Sequence, residues 1–206
     1  MPECRKFGIG SDGRRREREA GMKTVYLIRH AHSVYTPDER SRPLSDAGKA
    51  DAWRVADLLE QEEIGEIWSS PYLRSVQTVE KLAERIGQPI RLQEGFRERL
   101  LSDGPVGDFE DSVRRLWDEP EHALPGGESN RMATIRGMEA LRGVLASSRS
   151  SRIAVGTHGN IMAMMMNALG GSFGYEFWRG LEMPDIYKLS FGKEGRYKGA
   201  KRIWSR

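Results

Sequence analysis

Short apolar segments rich in β-branched residues alternate with longer helical patterns from Lys23 onward, and this alternation limits the possible folds more than any other feature. Buried strands are predicted at residues 24–28, 64–68 and 153–156. The intervening segments are long enough for the crossover helices that parallel strands require. The alternation therefore predicts a three-layer α/β/α sandwich, with helices on both faces of a mostly parallel central sheet.

Apolar side chains at i, i+3 and i+4 spacing predict the helices that connect these strands. One helix is predicted to begin near Ser45. The clearest begins at Ser70 and Pro71, where serine would be the N-cap and proline the first helical residue, and Gly87 is predicted to end it. The other predicted elements are a short strand at 90–92, a short helix at 113–117 within a loop-rich stretch at 99–126, helices at 128–146 and 160–169, and a final strand at 186–191.

The net charge of +3 is concentrated at the start of the 206-residue chain. Residues 1–21 hold six basic and four acidic side chains, so they supply two of the three net charges. The rest of the chain is nearly neutral, which argues against a nucleic-acid partner. No apolar run approaches the roughly 20 residues of a membrane span, which argues against a membrane partner. The single cysteine, Cys4, excludes an internal disulfide framework and fits a cytoplasmic location.

Residues 1–21 are predicted to lie outside the folded unit. They lack the apolar region of a signal peptide, and Met22 stands immediately before the first predicted strand. We therefore expect a disordered extension or an over-long start at 1–21, and a single domain at 22–206. This length suits one domain with a sizeable core, and a homodimer is a possible assembly of it.

Polar side chains of similar chemistry follow three of the predicted strands. The first strand leads into Arg29, His30 and His32. The second leads to Arg74 in the following helix, and the third leads into His158. The carboxyl ends of parallel strands share one edge of a sheet, so two arginines and up to three histidines are expected to meet there. Because arginine and helix N-termini both favour anions, the pattern predicts a phosphate site.

Two features of this pattern allow a second interpretation. Arg74 would be a solvated surface side chain if it met no anion, because a cation in the first turn of a helix opposes the helix dipole. His30 and His32 have the spacing of the first metal pair in metal-dependent amidohydrolases. Only His122 and His158 remain as further histidines, so no metal site of that kind is predicted. Further arginines either line the approach to the site or are solvated: Arg40, Arg42, Arg97, Arg99, Arg114 and Arg115.

Ordered sequence blocks resemble the histidine phosphatase superfamily, whose fold is also called phosphoglycerate-mutase-like. LIRHAHS at 27–33 resembles the Arg-His-Gly/Ala core that follows a buried strand in this superfamily. SSPYLRSVQT at 69–78 resembles its Ser-Ser-x-x-x-Arg-Ala-x-Gln-Thr stretch. LSDAG at 44–48, FRE at 96–98, GGES at 126–129 and THG at 157–159 resemble further elements in the expected order. The resemblance extends over about residues 23–191.

The resemblance implies a role for each of five residues. His30 would be the nucleophile that forms a phosphohistidine, and Glu98 would give a proton to the leaving group and take one from water. Arg29, Arg74 and a protonated His158 would hold the phosphoryl oxygens. This chemistry needs no metal and no cofactor, and the substrate would be a small phosphorylated molecule.

Other functions on the same fold are a phosphoglycerate-mutase-type phosphotransferase and a protein phosphohistidine phosphatase. Residues 38–45 resemble the short approach of small phosphohistidine phosphatases, and the longer aromatic-rich segment of phosphoglycerate mutases is missing, so hydrolysis is favoured. A non-enzymatic module that binds phosphorylated ligands is disfavoured, because His30, Arg29 and an acid are all present. His32 is expected either to touch substrate or to face solvent, and Asn160 is predicted to cap the following helix.

Overall fold

Helices cover both faces of a central six-stranded sheet. The computed structural model describes residues 21–205. Within that range the strands are β1 (Lys23–Arg29), β2 (Glu66–Ser69), β3 (Ile90–Leu92), β4 (Arg152–Thr157), β5 (Asp185–Phe191) and β6 (Tyr197–Arg202). The α-helices are α1 (Asp46–Glu60), α2 (Leu73–Ile86), α3 (Phe109–Asp118), α4 (Asn130–Ser147), α5 (Gly159–Gly170) and α6 (Tyr175–Arg179).

The strand order is β3-β2-β4-β1-β5-β6. β3, β2, β4 and β1 run parallel to one another, whereas β5 pairs antiparallel with β1 and β6 antiparallel with β5. This confirms the predicted α/β sandwich with a mostly parallel sheet. The strand predicted at 186–191 is β5, but the sequence pattern predicts neither β6 nor α6.

β1 lies in the middle of the sheet and is buried on both faces. Alternate residues of a strand point to opposite faces, so Val25 and Leu27 pack on one side while Tyr26 and Ile28 pack on the other. α1 and α2 cover the side of Tyr26, and α4 and α5 cover the side of Val25. Four methionines of α5 are buried in that second layer: Met162, Met164, Met165 and Met166. Because β1 is buried between the two layers, the residues that follow it are held at the carboxyl edge of the sheet.

α2 begins at Leu73, two residues after Pro71, its predicted first residue. The N-cap is Tyr72 rather than Ser70, and Tyr72 makes no side-chain capping hydrogen bond. Ser70 Oγ instead accepts the backbone N–H of Tyr72 at 3.2 Å, so Ser70 closes a turn before the helix. Gly87 ends the helix as predicted, in the left-handed conformation (φ 64°) that glycine adopts freely.

In the first turns of α2 the face that turns into the protein differs from the predicted one, whereas further along Val79 and Ala83 are buried as the periodicity predicts. The periodicity places Val76 on the buried face and Arg74 opposite it. In the structure Arg74 is 3% exposed and is buried together with Ser75 and Thr78. Thr78 Oγ1 accepts the N–H of Ala31 at 3.0 Å, so this polar face supports the loop that follows β1. The error arises because the helix packs against polar backbone here and not against an apolar core.

None of the helices between residues 21 and 205 is long and apolar enough to cross a bilayer. The prediction for residues 1–21 concerns a segment that, apart from Gly21, lies outside the described residues. It stays a prediction, as does the single domain at 22–206.

Candidate active site

His30 lies directly after β1 at the carboxyl edge of the sheet and is 8% exposed. Its backbone N–H donates to Thr157 O at 3.0 Å, which ties it to the end of β4. The ring Nδ1 is 2.7 Å from Ala31 O, and the ring Nε2 is 3.2 Å from Arg74 Nε. A carbonyl oxygen only accepts and a guanidinium only donates, so Nδ1 carries the hydrogen and Nε2 presents its lone pair.

Burial and nearby positive charge keep the His30 ring neutral. Burial is the largest cause, and the charges of Arg74, Arg29 and Arg42 also act to lower the pKa of His30, which falls to about 3. The hydrogen bond to Ala31 O acts in the opposite direction, without cancelling the effect of burial. A neutral imidazole with a free lone pair on Nε2 is a competent nucleophile at pH 7.

Arg74 is a buried part of this site, so its interpretation as a solvated surface side chain is wrong. Besides its contact with His30, its Nη1 donates to the backbone oxygen of Glu39 at 2.7 Å and its Nη2 lies 3.0 Å from Glu39 Oε2. The guanidinium also stacks over the ring of Tyr72, 5.0 Å from the ring centroid. Burial lowers the pKa of Arg74, and the charges of Glu39 and Glu98 act against that effect. The cation opposing the dipole of α2 is thus neutralised by the Glu39 carboxylate.

His158 is fully buried at the N-cap of α5. Its Nε2 is 2.8 Å from Ser70 Oγ, and its ring meets the ring of His30 edge-on with centroids 5.1 Å apart. Burial is the main cause that holds the pKa of His158 well below its ordinary value, and His30, Arg74 and Arg29 add to it. The ring is therefore neutral in the free protein, whereas the resemblance assigns it a positive charge. A phosphate dianion between these groups would act in the opposite direction and favour the protonated ring.

Arg29 is the last residue of β1, next to His30, and its charge acts on the His30 ring. Its Nη1 donates to Leu181 O at 2.7 Å, and its Nε is buried without a hydrogen-bond partner among the described residues. Its guanidinium lies against the first residue of α5, Gly159. A Cβ atom at Gly159 would stand 3.0 Å from Arg29 Cζ, so a larger residue there would crowd the guanidinium. Burial lowers the pKa of Arg29, and the charges of Glu98 and Asp185 oppose this.

Glu98 follows a short 3₁₀ turn and binds the start of α5. Its carboxylate accepts the backbone N–H of Asn160 and that of Ile161, each at 3.1 Å, and the N–H of Arg99 at 2.9 Å. Glu98 therefore supplies the capping acceptor of α5, which is favourable at the positive end of a helix dipole. The prediction that Asn160 caps this helix is wrong, because His158 holds the N-cap position and Glu98 takes the free N–H groups.

A family model for the histidine phosphatase superfamily (branch 1) matches residues 25–198, a range that contains all five predicted site residues. The chain belongs to the histidine phosphatase superfamily. This member of the superfamily is 28% identical over 164 residues to a probable phosphoglycerate mutase, GpmB, of Klebsiella pneumoniae, a match that covers 73% of this chain and 76% of that protein. It is also 28% identical over 170 residues to phosphoserine phosphatase 1 of Hydrogenobacter thermophilus, with 76% and 81% covered.

A solved structure of another protein shares the fold of this chain. A mycobacterial glucosyl-3-phosphoglycerate phosphatase, in complex with inorganic phosphate, superposes with a TM-score of 0.73 over 89% of this chain and 97% of that one. The two sequences are 21% identical, so the likeness concerns the fold.

His32, unlike His30 and His158, is not buried in the site. It is exposed, and its Nδ1 is 2.8 Å from Ser45 Oγ at the N-cap of α1. The structure thus favours the solvent-facing alternative for His32. Within residues 21–205, no group of three or more His, Cys, Asp or Glu side chains is arranged to hold a metal ion.

Three polar residues at this site are absent from the set of site residues that the sequence predicts. Ser70 contacts His158, and Glu39 contacts Arg74. Tyr72 lies edge-on to His158 with ring centroids 5.0 Å apart. Ser70 and Tyr72 belong to a block that resembles the superfamily, so their position in that block was an available signal. Glu39 lies in a polar loop, and no pattern in the sequence singles it out.

Proposed function

We propose that this histidine phosphatase is a phosphomonoester hydrolase that works through a phosphohistidine on His30, without a metal ion. The observation that carries the proposal is the state of the His30 ring. Its Nδ1–H is fixed by Ala31 O, its Nε2 lone pair is directed at Arg74, and its low pKa keeps it unprotonated. A phosphoryl oxygen that accepted the Arg74 N–H would bring phosphorus next to Nε2.

In the first step of the proposed reaction, the Nε2 lone pair of His30 attacks phosphorus and the bond from phosphorus to the ester oxygen breaks. Glu98, in its protonated form, gives its proton to the leaving oxygen, so an alcohol departs. Arg29, Arg74 and His158 hold the three oxygens of the phosphoryl group and stabilise the charge that they carry in the transition state. The product of this step is a phosphohistidine and a Glu98 carboxylate.

In the second step, water attacks phosphorus from the side that the alcohol has left. Glu98 takes a proton from this water, the nitrogen–phosphorus bond breaks, and inorganic phosphate is formed. His30 Nε2 recovers its lone pair and Glu98 its proton, so both residues return to their starting state. The sum of the two steps is hydrolysis of one phosphomonoester.

A small phosphorylated molecule is the proposed substrate, and the relative named phosphoserine phosphatase 1 supports this class. The relative named probable phosphoglycerate mutase supports a second candidate, in which the phosphoryl group returns to product and not to water. The short segment at 38–45 favours hydrolysis and keeps a protein phosphohistidine phosphatase as a third. The cytoplasmic location and the homodimer stay predictions.

The test compares the wild type with His30→Asn on p-nitrophenyl phosphate and a panel of phosphomonoesters. We expect His30→Asn to lose at least about a thousandfold in kcat/KM, because no other group replaces the nucleophile. His122→Asn is the matched control, since His122 lies in the loop after α3 and is absent from the proposed machinery. Equal rates in the wild type and His30→Asn would overturn the proposal.

The covalent intermediate and the mutase candidate need separate measurements. Wild-type protein quenched in alkali during turnover of a ³²P-labelled substrate should carry label that is stable in base and released in acid, and His30→Asn should carry none. Conversion of 3-phosphoglycerate to 2-phosphoglycerate, faster than release of phosphate, would replace the hydrolase with the mutase candidate.

A further inference from the structure

Residues 33–43, here called the strap, cross the site between β1 and α1. The backbone closes the strap at its base, where Val34 N–H donates to Pro43 O at 2.9 Å. At its far end Leu73 N–H donates to Arg40 O at 2.8 Å, which fastens the strap to the first turn of α2. The strap therefore holds its side chains next to Arg74, the second residue of that helix.

Glu39 stands at the tip of the strap and joins two arginines. Its Oε2 is 3.0 Å from Arg74 Nη2, and its Oε1 accepts a hydrogen bond from Arg42. Asp38 shapes the turn that presents it, because Asp38 Oδ1 accepts the Arg40 N–H at 3.0 Å and Oδ2 accepts the Ser41 hydroxyl at 2.6 Å. One carboxylate thus bridges two guanidiniums, one of which touches His30.

Arg42 has the properties of a site residue and not of a solvated surface arginine. Its side chain is 17% exposed, and its Nε is buried without a hydrogen-bond partner among the described residues. It is near enough to the catalytic centre for its charge to act on both His30 and Arg74. The Glu39 carboxylate is 48% exposed, so it can turn into water more readily than either arginine can.

We infer that Glu39 is a displaceable carboxylate that competes with phosphate for Arg74 and Arg42, and that Arg42 becomes a third phosphate-binding arginine when Glu39 leaves. The inference rests on the proposed function for the identity of the anion. Because the same carboxylate must leave for substrate and for product, it weakens both complexes equally. Such a uniform effect raises KM and the inhibition constant of phosphate, and it leaves the barrier of the bound chemical step unchanged.

The first test measures the binding of inorganic phosphate to the full chain by isothermal titration calorimetry. Glu39→Gln keeps the size of the side chain and removes its charge. We expect the Kd of phosphate to fall by about threefold to tenfold, since a partly exposed ion pair is replaced. KM for p-nitrophenyl phosphate should fall by the same factor, with kcat equal to or below that of the wild type.

Glu94→Gln is the matched control. Glu94 forms an ion pair at 2.6 Å with Arg40 of the strap. Among the described residues it makes no hydrogen bond or ion pair with Arg74 or Arg42. The substitution Glu94→Gln removes one negative charge and the ion pair that Glu94 forms with the strap. We expect the Kd of phosphate to stay within about twofold of the wild type. An equal tightening in Glu94→Gln and Glu39→Gln would assign the effect to net charge or strap mobility and overturn the inference.

A second variant tests the role of Arg42. In the Glu39→Gln background, Arg42→Gln should weaken phosphate binding by about fivefold or more, because a charged contact to the anion is lost. Three results would each overturn the inference. The Kd of phosphate could be equal in Glu39→Gln and in the double variant, it could be higher in Glu39→Gln than in the wild type, or no variant could bind phosphate. Calorimetry needs no turnover, so these outcomes are distinct from loss of the phosphohistidine, which contradicts the proposed function alone.

Discussion

Glu98 has two tasks that make different demands on one carboxyl group. In the structure it accepts three backbone N–H groups and caps α5, which suits a carboxylate. In the proposed mechanism it must also carry a proton to the leaving group. A glutamine at this position keeps an oxygen for capping but cannot supply the proton, so substitution separates the two tasks.

The rate enhancement that a proton from Glu98 provides depends on the leaving group of the substrate. We expect Glu98→Gln to lower kcat/KM for an alkyl phosphate by about 10²- to 10⁴-fold, because an alkoxide is a poor leaving group. For p-nitrophenyl phosphate the loss should be less than about tenfold, since p-nitrophenolate departs without a proton. Steady-state kinetics on the two substrates checks this, with Glu94→Gln as control. Equal losses on both substrates would mean that Glu98 acts only by capping α5.

The position of a single residue can be predicted from the sequence where the residue directly follows a buried parallel strand. Arg29, His30 and His158 could be predicted because each stands at the end of a buried parallel strand, and such ends share one edge of the sheet. Arg74 needed the family resemblance, since its helix face by periodicity alone would be exposed. Glu39 could not be predicted, because its place depends on how the strap folds back over α2.

At the scale of secondary structure elements, α1 begins in direct contact with the loop that follows His30. Gly48, in the first turn of α1, has a backbone so close to His32 that an added Cβ would lie 2.0 Å from His32 O. We expect Gly48→Ala to lower the free energy of unfolding by about 1–3 kcal/mol, because the crowding atom is backbone and cannot turn away. Urea unfolding measures this change.

Gly143 provides the matched control for that substitution. It is exposed in α4, and a Cβ there would meet nothing within 4 Å. Gly143→Ala should therefore raise the free energy of unfolding by roughly 0.5–1 kcal/mol, from lower backbone entropy of the unfolded chain and better helix propensity. Shifts of the same sign in the two variants would contradict the close approach of α1 to His32.

The antiparallel edge of the sheet is the part of the fold that sequence patterns miss. β6 has the sequence YKGAKR, with charged residues and a glycine, so it shows no clear strand pattern. It is a strand because it pairs antiparallel with β5 across a short turn, and this pairing outweighs the weak strand preference of its own residues. β1 and β4 could be predicted because burial on both faces gives each a continuous apolar centre, at residues 25–28 and 153–155.

Across the whole molecule, positive charge is gathered at one edge of a nearly neutral protein. Arg29 and Arg74 are buried there beside His30 and His158, and burial lowers the pKa of all four groups. Buried like charges reduce the stability of the free protein and favour binding of an anion. The two histidines make this loss of stability depend on pH. Their pKa values are low in the folded protein, so at mildly acidic pH the unfolded chain binds protons that the folded protein does not.

The pKa of His30 is about 3 in the folded protein and about 6.5 when solvated, so as pH falls below 6.5 the unfolded chain takes up a proton that the native ring refuses. The stabilising contribution of the neutral ring is complete above about pH 6.5 and is lost as pH falls toward 3. Between pH 6 and 4 the wild type should therefore lose up to about 1.4 kcal/mol per pH unit more than His30→Asn does, by urea unfolding. His32→Asn, at an exposed position, should follow the wild-type slope. Parallel slopes for the wild type and His30→Asn would show that the folded ring takes up its proton at the same pH as the unfolded chain, which would contradict the low pKa of His30.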